Sequence, residues 1–224
     1  MRAKPDVIVA HETPAVAAAA KATQRIPIIM APASERVDGA NVTCLVVDSA
    51  RYAAGVVNLV REMKGNARRI ALLANGDDPS SRGLLVSLNQ AAARIRVPVG
   101  VARVTGADDY EAAFAQWDRL RVQVVIVGPT ADLKRAAALA LRYRLPAIAL
   151  ASGFVEAGGL ASYSIGSRAT ARKTATYVER ILKGAPLSVE QLAAFELALN
   201  LKTARAIEVE FPDALLARAD AVLQ

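Results

Sequence analysis

The chain has one cysteine, Cys44, and one histidine, His11. No internal disulfide, cysteine metal cluster, histidine-based catalytic triad or multi-histidine metal site can therefore form. Aromatic residues make up only 4% of the sequence. That argues against an aromatic-rich all-β core and for closely packed helices on a sheet, with alanine supplying much of the apolar content. Apolar runs such as residues 122–127 are far too short to span a membrane. The opening residues, Met1-Arg2-Ala3-Lys4-Pro5-Asp6, contain no apolar segment of the kind a secretory signal carries. As written, the product reads as a cytoplasmic chain.

At 224 residues, 54% hydrophobic and 22% charged, the chain has the composition of a globular protein with one large domain or two small ones. The net charge of +7 goes with a sequence pI of about 9.9. Lysine and arginine are scattered, however. The closest groupings are Arg68-Arg69, Lys134-Arg135 and Arg168/Arg172/Lys173, and none is interleaved with aromatics. A solvated basic face accounts for this better than nucleic-acid binding does.

Short β-type runs alternate with helical stretches. Val7-Ile8-Val9-Ala10 is followed by a break at His11-Glu12-Thr13-Pro14, an alanine-rich helix over 15–24 and a second run, Ile28-Ile29-Met30-Ala31. Thr13 suits an N-cap, with Pro14 at the first helical position. The same grammar recurs at Val124-Val125-Ile126-Val127, Gly128-Pro129-Thr130, a helix over 131–143 and a strand over 147–150. Both copies enter their second strand through Arg-X-Pro, as Arg25-Ile26-Pro27 and Arg144-Leu145-Pro146. Two similar lobes are the reading this favours.

Between the copies the pattern predicts helices over 51–64, 80–95 and 108–120 and strands over 69–74 and 97–104. The first of these helices is capped by Asp48 or Ser49 and carries Val56, Val57, Val60 and Met63 on one face. After the second copy come a strand over 160–165, a helix over 167–182 stopped by Gly184 and Pro186, a strand over 195–199, and short helices around 201–207 and 212–223. Strands alternating with helices imply parallel sheets covered on both faces.

In open parallel sheets, ligands sit outside the carboxyl ends of the strands. Here those ends are His11-Glu12-Thr13, Pro32-Ala33-Ser34, Asn75-Gly76-Asp77-Asp78, Gly128-Pro129-Thr130 and Ala151-Ser152-Gly153. Hydroxyls and helix N–H groups suit a carboxylate, and Glu12, Asp77 or Asp78 suits an ammonium group. The alternative for each is a helix cap or turn. No phosphate-binding glycine loop and no nucleophile elbow is present, so no catalytic residue, cofactor or metal is assigned. Tyr163 and Tyr177 are aromatic candidates for a cleft or for the core.

The strings Phe154-Val155-Glu156-Ala157-Gly158-Gly159-Leu160, Ser162-Tyr163, Ala175-Thr176-Tyr177-Val178-Glu179-Arg180-Ile181-Leu182-Lys183-Gly184, Phe195-Glu196-Leu197, Asn200-Leu201-Lys202-Thr203-Ala204 and Leu215-Leu216-Ala217-Arg218-Ala219-Asp220 resemble the ABC-transporter substrate-binding proteins of the tryptophan/aromatic-amino-acid type. Residues 4–10 and 41–43 fit the same pattern. The resemblance implies a two-lobed α/β fold of the type-1 periplasmic-binding class with parallel sheets. Its first lobe, 1–47 plus part of 167–224, is expected to be incomplete, and its second lobe to span 48–166. It implies a non-catalytic solute-binding component of an ABC import system, taking an amino acid or small aromatic carboxylate in the inter-lobe cleft and working with an ABC permease.

By position, Thr13, the loop of Asn75, Asp77 and Asp78, and Pro129, Thr130 and Asp132 match the family's ligand loops. Glu12 and Ser152 join them from the residue-level reading. Cys44 and Glu208 stand where the family pattern has glycines, and residues 32–36 differ from the usual loop. An open edge at residues 7–10 predicts a homodimer or higher even oligomer. The rival function is a truncated cytoplasmic oligomeric relic or regulatory sensor domain without transport function.

Overall fold

The structure is a computed structural model that describes residues 5–10, 12–33, 39–76, 78 and 80–224. In chain order the elements are β1 (Ile8–Ala10), α1 (Glu12–Ala22), β2 (Ile28–Ala33), β3 (Val42–Val47), α2 (Ser49–Met63), β4 (Ile70–Asn75), α3 (Ser80–Ala93), β5 (Val99–Val104), α4 (Ala107–Arg119), β6 (Val124–Val127), α5 (Leu133–Arg142), β7 (Ala147–Ala149), β8 (Ala161–Ile165), α6 (Ser167–Leu182), β9 (Glu190–Leu192), β10 (Phe195–Asn200), α7 (Leu201–Ala206), α8 (Asp213–Ala217) and β11 (Ala221–Leu223). Among the described residues no helix is long and apolar enough to cross a membrane. The chain divides into two compact units, Met1–Ser49 with Gly166–Ala194, and Ala50–Ile165 with Phe195–Gln224.

The first unit holds a parallel sheet in the order β1-β2-β3-β9. Its strands alternate their side chains between two apolar layers, as the two-residue repeat of a strand requires. Ile28, Met30 and Cys44 pack with Val16 of α1, while Ile29, Ala31 and Leu45 pack with Tyr177 of α6. Tyr177 is a core residue at 1% exposure. Its hydroxyl accepts the Ser188 N–H (2.7 Å), and the neighbouring Thr43 hydroxyl donates to the Ser188 carbonyl (2.7 Å). These bonds satisfy the buried polar groups at the place where the segment after α6 crosses β3.

The second unit holds a seven-stranded sheet in the order β11-β10-β8-β7-β6-β4-β5. Its pairs are parallel except for β10 against β8, where Leu197 faces Tyr163 and Phe195 faces Ile165. Ala71, Leu73, Val125, Val127, Ala147 and Ala149 form one layer with Phe114 and Trp117 of α4 and Ala136, Ala137 and Ala140 of α5. Every residue of β6 is fully buried, which is why that run reads as continuous valine and isoleucine rather than as an alternation.

Four helices of this unit end in a shared way. Arg96, Arg121, Arg144 and Glu208 adopt left-handed φ values of 56, 56, 51 and 60°. The next residue then donates its N–H five positions back: Val97 to Ala92 (3.2 Å), Val122 to Trp117, Leu145 to Ala140 and Val209 to Ala204 (each 2.9 Å). This satisfies carbonyls that a helix end would otherwise leave open, and it turns an apolar residue back onto the helix. Glycine is the usual residue at the left-handed position. The glycine anticipated at Glu208 thus marks a real backbone requirement, met here by a residue with a side chain.

Three sequence expectations change. Residues 212–223 do not form one helix. The chain leaves α8 at Arg218, and Asp220 pairs with Leu197 through both its N–H (2.8 Å) and its carboxylate (2.8 Å), so that β11 adds to the sheet edge. β3 and β9 were not anticipated. The helix α1 begins at Glu12, which places Thr13 inside the first turn rather than at the cap. Proline is still tolerated there, because first-turn N–H groups have no helical acceptor.

Candidate functional site

The carboxyl ends of β4, β6 and β7 lie side by side in the second unit, since β4 pairs with β6 and β6 with β7. Gly128 allows the first two to stay close as they end. Its N–H donates to the Leu73 carbonyl (2.8 Å), and a side-chain carbon on it would stand 2.9 Å from that same oxygen. The β6 exit therefore turns sharply, and Pro129 and Thr130 emerge exposed beside the β4 exit.

Three predicted residues meet here. The Asn75 side-chain amide donates to the Thr130 carbonyl (3.2 Å), and the Thr130 hydroxyl donates to the Asp78 carboxylate (2.8 Å). The loop of Asn75 and Asp78 is itself tied to the start of α3. The Ser81 N–H donates to the Asp78 carbonyl (3.2 Å) and the Ser81 hydroxyl to the Asn75 carbonyl (3.3 Å). One carboxylate, one hydroxyl and one carboxamide are thus held in fixed relation at the end of a rigid sheet. Such a group can receive the ammonium or hydroxyl of a small solute, with Asp78 supplying the charge.

Asp132 has a different employment. Its carboxylate caps α5 by accepting the Arg135 N–H (3.1 Å), and the Arg135 side chain stands 3.6 Å from it. Its own N–H donates to the Tyr110 hydroxyl (2.7 Å). Asp132 fixes the far end of the 128–132 turn, which is what helix N-cap aspartates do. Ser152 is exposed in the turn after β7 and next to Gly153, and no hydrogen bond joins it to the other three. Glu12 and Thr13 open α1 in the first unit. Their side chains, and all of Asp77, lie outside the described residues.

Two supporting residues escaped the sequence reading. Tyr110, buried in α4, holds Asp132. Tyr52 of α2 directs its hydroxyl to the Leu150 carbonyl (3.1 Å), just before the Ser152 turn, and to the Tyr163 carbonyl (2.7 Å). Burial, and then the neighbouring Tyr163, raise the pKa of Tyr52 far above its ordinary value. It therefore serves as a neutral donor at every accessible pH. The signal was present in the spacing: Tyr52 lies four residues before Val56 on the apolar face and carries the only polar tip there. Beside Tyr110 in the first turn of α4, Asp109 accepts the N–H groups of Gly106 (2.9 Å) and Thr105 (2.8 Å), which hold its carboxyl below the usual range.

Comparison with solved structures gives the same architecture. A conserved domain protein from Vibrio cholerae superposes with a TM-score of 0.81 at 24% identity, over 98% of this chain and 79% of that one. An ABC domain in complex with L-Trp from Streptococcus pneumonia superposes at 0.80 with 22% identity, over 98% and 81%. A ligand-free, open substrate-binding protein with adhesive properties from Clostridium difficile gives 0.77 at 21%, over 98% and 78%. Comparison with curated protein sequences finds no match. The family model for ABC transporter substrate binding proteins matches residues 1–223. With the type-1 periplasmic-binding architecture and the family match in hand, the chain belongs to the ABC transporter substrate-binding proteins.

Proposed function

We propose that the protein binds an amino acid or small aromatic carboxylate through the loops at the carboxyl ends of β4, β6 and β7, as the solute-binding partner of an ABC permease. The observation that carries this reading is the hydrogen-bonded group of Asn75, Thr130 and Asp78 at the strand ends of a family member. A fixed carboxylate beside donor and acceptor groups suits a zwitterion, and the L-Trp bound by the Streptococcus relative is a solute of that class. Pro129 and Ser152 border the same end of the sheet, and Asp132 acts through the turn it caps.

A thermal-melt screen against the amino acids and a set of aryl acids tests the proposal. A true solute at a hundredfold its Kd stabilises the protein by about 2.7 kcal/mol. Thr130→Val, which removes the bond to Asp78, should abolish that shift while leaving the unliganded melt nearly unchanged. If no compound shifts the melt, the reading fails.

A second copy of the chain is proposed to cover β1. Among the described residues β1 pairs on one side only, with β2, and Val9 is 51% exposed. Exposed apolar edges are templates for strand pairing. Light scattering should give twice the 23.6 kDa chain mass at micromolar concentration, and a monomer unchanged on dilution would refute the pairing.

A further inference from the structure

Three helix-to-strand turns of the second unit carry the same kind of triplet. Arg94-Ile95-Arg96 leads into β5, Arg119-Leu120-Arg121 into β6 and Arg142-Tyr143-Arg144 into β7. The turn ahead of β4 carries Arg68-Arg69 after Lys64. No acidic residue lies within 64–69, 94–98, 119–123 or 142–146.

The sheet brings these turns together. β5, β4, β6 and β7 are adjacent and parallel, and they start in register: Ile70 faces both Val99 and Val124, and Val125 faces Ala147. With about 4.8 Å between strands, the four starts form a row about 15 Å long. The turns also bond to one another. The Arg68 N–H donates to the Gln123 side-chain oxygen (2.7 Å), the Gln123 N–H to the Arg69 carbonyl (2.9 Å), and the Arg69 guanidinium to the Leu120 carbonyl. Arginines far apart in sequence thus share one end of the sheet. Asp78, Asp109 and Asp132 stand at the other end, beyond β4, β5 and β6.

The fold does not require this sorting. A helix dipole favours a base in the last turn, and each helix end needs one left-handed residue before the apolar residue that folds back. Glycine meets that need with the least strain. At 96, 121 and 144 the left-handed residue is arginine. Ion pairing does not account for the charges either. Glu111 reaches Arg142 (2.7 Å) and Glu208 reaches Arg144 (3.2 Å). Among the described residues no ion pair engages the exposed side chains of Arg68, Arg94, Arg96, Arg119 and Arg121. Two apolar side chains emerge beside them, Leu120 at 49% exposure and Leu141 at 43%.

We propose that this end of the second unit is a docking surface for an anionic phospholipid bilayer. The guanidinium groups meet headgroup phosphates, which suit their planar fork of donors. Leu120 and Leu141 reach the acyl boundary between them. A nucleic acid supplies the phosphates but no apolar layer for the leucines. It also stacks bases on open rings, whereas Tyr143, the one aromatic residue of the triplets, is half-buried with Arg142 over its ring (5.4 Å). The proposal is independent of the solute site at the carboxyl ends of the same strands.

The test is co-sedimentation of the full chain with vesicles of phosphatidylcholine and phosphatidylglycerol in equal parts, set against phosphatidylcholine alone. At about 0.1 M salt only the anionic vesicles should bind, and about 0.5 M salt should release the protein. Arg96→Gly with Arg121→Gly removes two charges at positions that suit glycine, and it should weaken binding by about tenfold or more. Arg68→Gln with Arg94→Gln repeats the comparison on ordinary backbone, so the test survives if the glycine pair folds poorly. Arg168→Gln with Arg172→Gln, on exposed α6 positions of the first unit, lowers the net charge equally and should leave binding within about twofold. Leu120→Ser should weaken binding by about threefold. Four results would overturn the proposal: no preference for the anionic vesicles, equal losses in the α6 and turn variants, unchanged binding in Leu120→Ser, or tighter binding of a DNA duplex than of the vesicles.

Discussion

The segments β1-α1-β2 and β6-α5-β7 follow one sequence grammar and meet different surroundings. In the first, Ile8 pairs with Ile28 and no strand lies beyond β1 among the described residues. In the second, β6 lies between β4 and β7, and all four of its residues are buried. The helices end differently as well. After α1, the Thr23 hydroxyl accepts the N–H groups of Arg25 and Ile26 (each 3.2 Å), so Arg25 needs no unusual backbone. After α5, Arg144 takes the left-handed conformation and Leu145 closes the helix. The same Arg-X-Pro triplet therefore does two jobs, because a side-chain acceptor is available in one copy and not in the other.

Substitutions in matched positions sharpen this contrast. Ile126→Ala should lower stability by about 3 kcal/mol, since it opens a cavity in a strand packed on both sides. Val9→Ala in the edge strand should change it by no more than about 0.5 kcal/mol. Urea denaturation of both variants measures the gap, and equal losses would mean that β1 is as enclosed as β6. Asp132→Ala removes the α5 cap and should cost about 1 kcal/mol. It should also loosen the turn that carries Thr130, seen as faster amide exchange at Thr130 and Ala131. Smaller than the loss of the cap, the effect of Arg144→Gly should be a rise in stability of about 0.5 kcal/mol, the relief of a left-handed side-chain residue less the added freedom of the unfolded chain. Arg25→Gly in the other copy should give no gain. A loss at Arg144→Gly would show that its exposed pairing with Glu208 (3.2 Å) outweighs the backbone term.

The elements legible from sequence alone were those with local signals. Apolar runs ended by glycine, proline or asparagine gave β2, β4 and β6, and α6 was bracketed by Gly166 and Gly184. What stayed hidden depended on distant partners. β9 is three residues, Glu190 to Leu192, with no alternation of its own, and it forms a strand because β3 offers it a ladder. β11 looked like the end of a helix until Leu197 was there to pair with Asp220. At the candidate site, the polar loop residues were visible because they punctuate strands. Their separate roles were not, since Asp78 joins Thr130 across 52 positions and Asp132 answers to a tyrosine 22 positions back.

The second unit is made of two stretches, Ala50–Ile165 and Phe195–Gln224, with Gly166–Ala194 of the first unit between them. This has a consequence for synthesis on the ribosome. When residue 165 has been made, β4 to β8 can already assemble, but β8 is then the open edge of its sheet. It remains so until β10 arrives, 30 residues after β8 ends at Ile165. Translation at about 5–20 residues per second makes that delay seconds long, whereas closing a short loop takes well under a microsecond. During that interval the nascent chain exposes Tyr163 and the backbone groups that later pair with Phe195 to Leu199. The protein is therefore most open to misassembly after most of its core is already built, and chaperone contact on the growing chain should concentrate in that window.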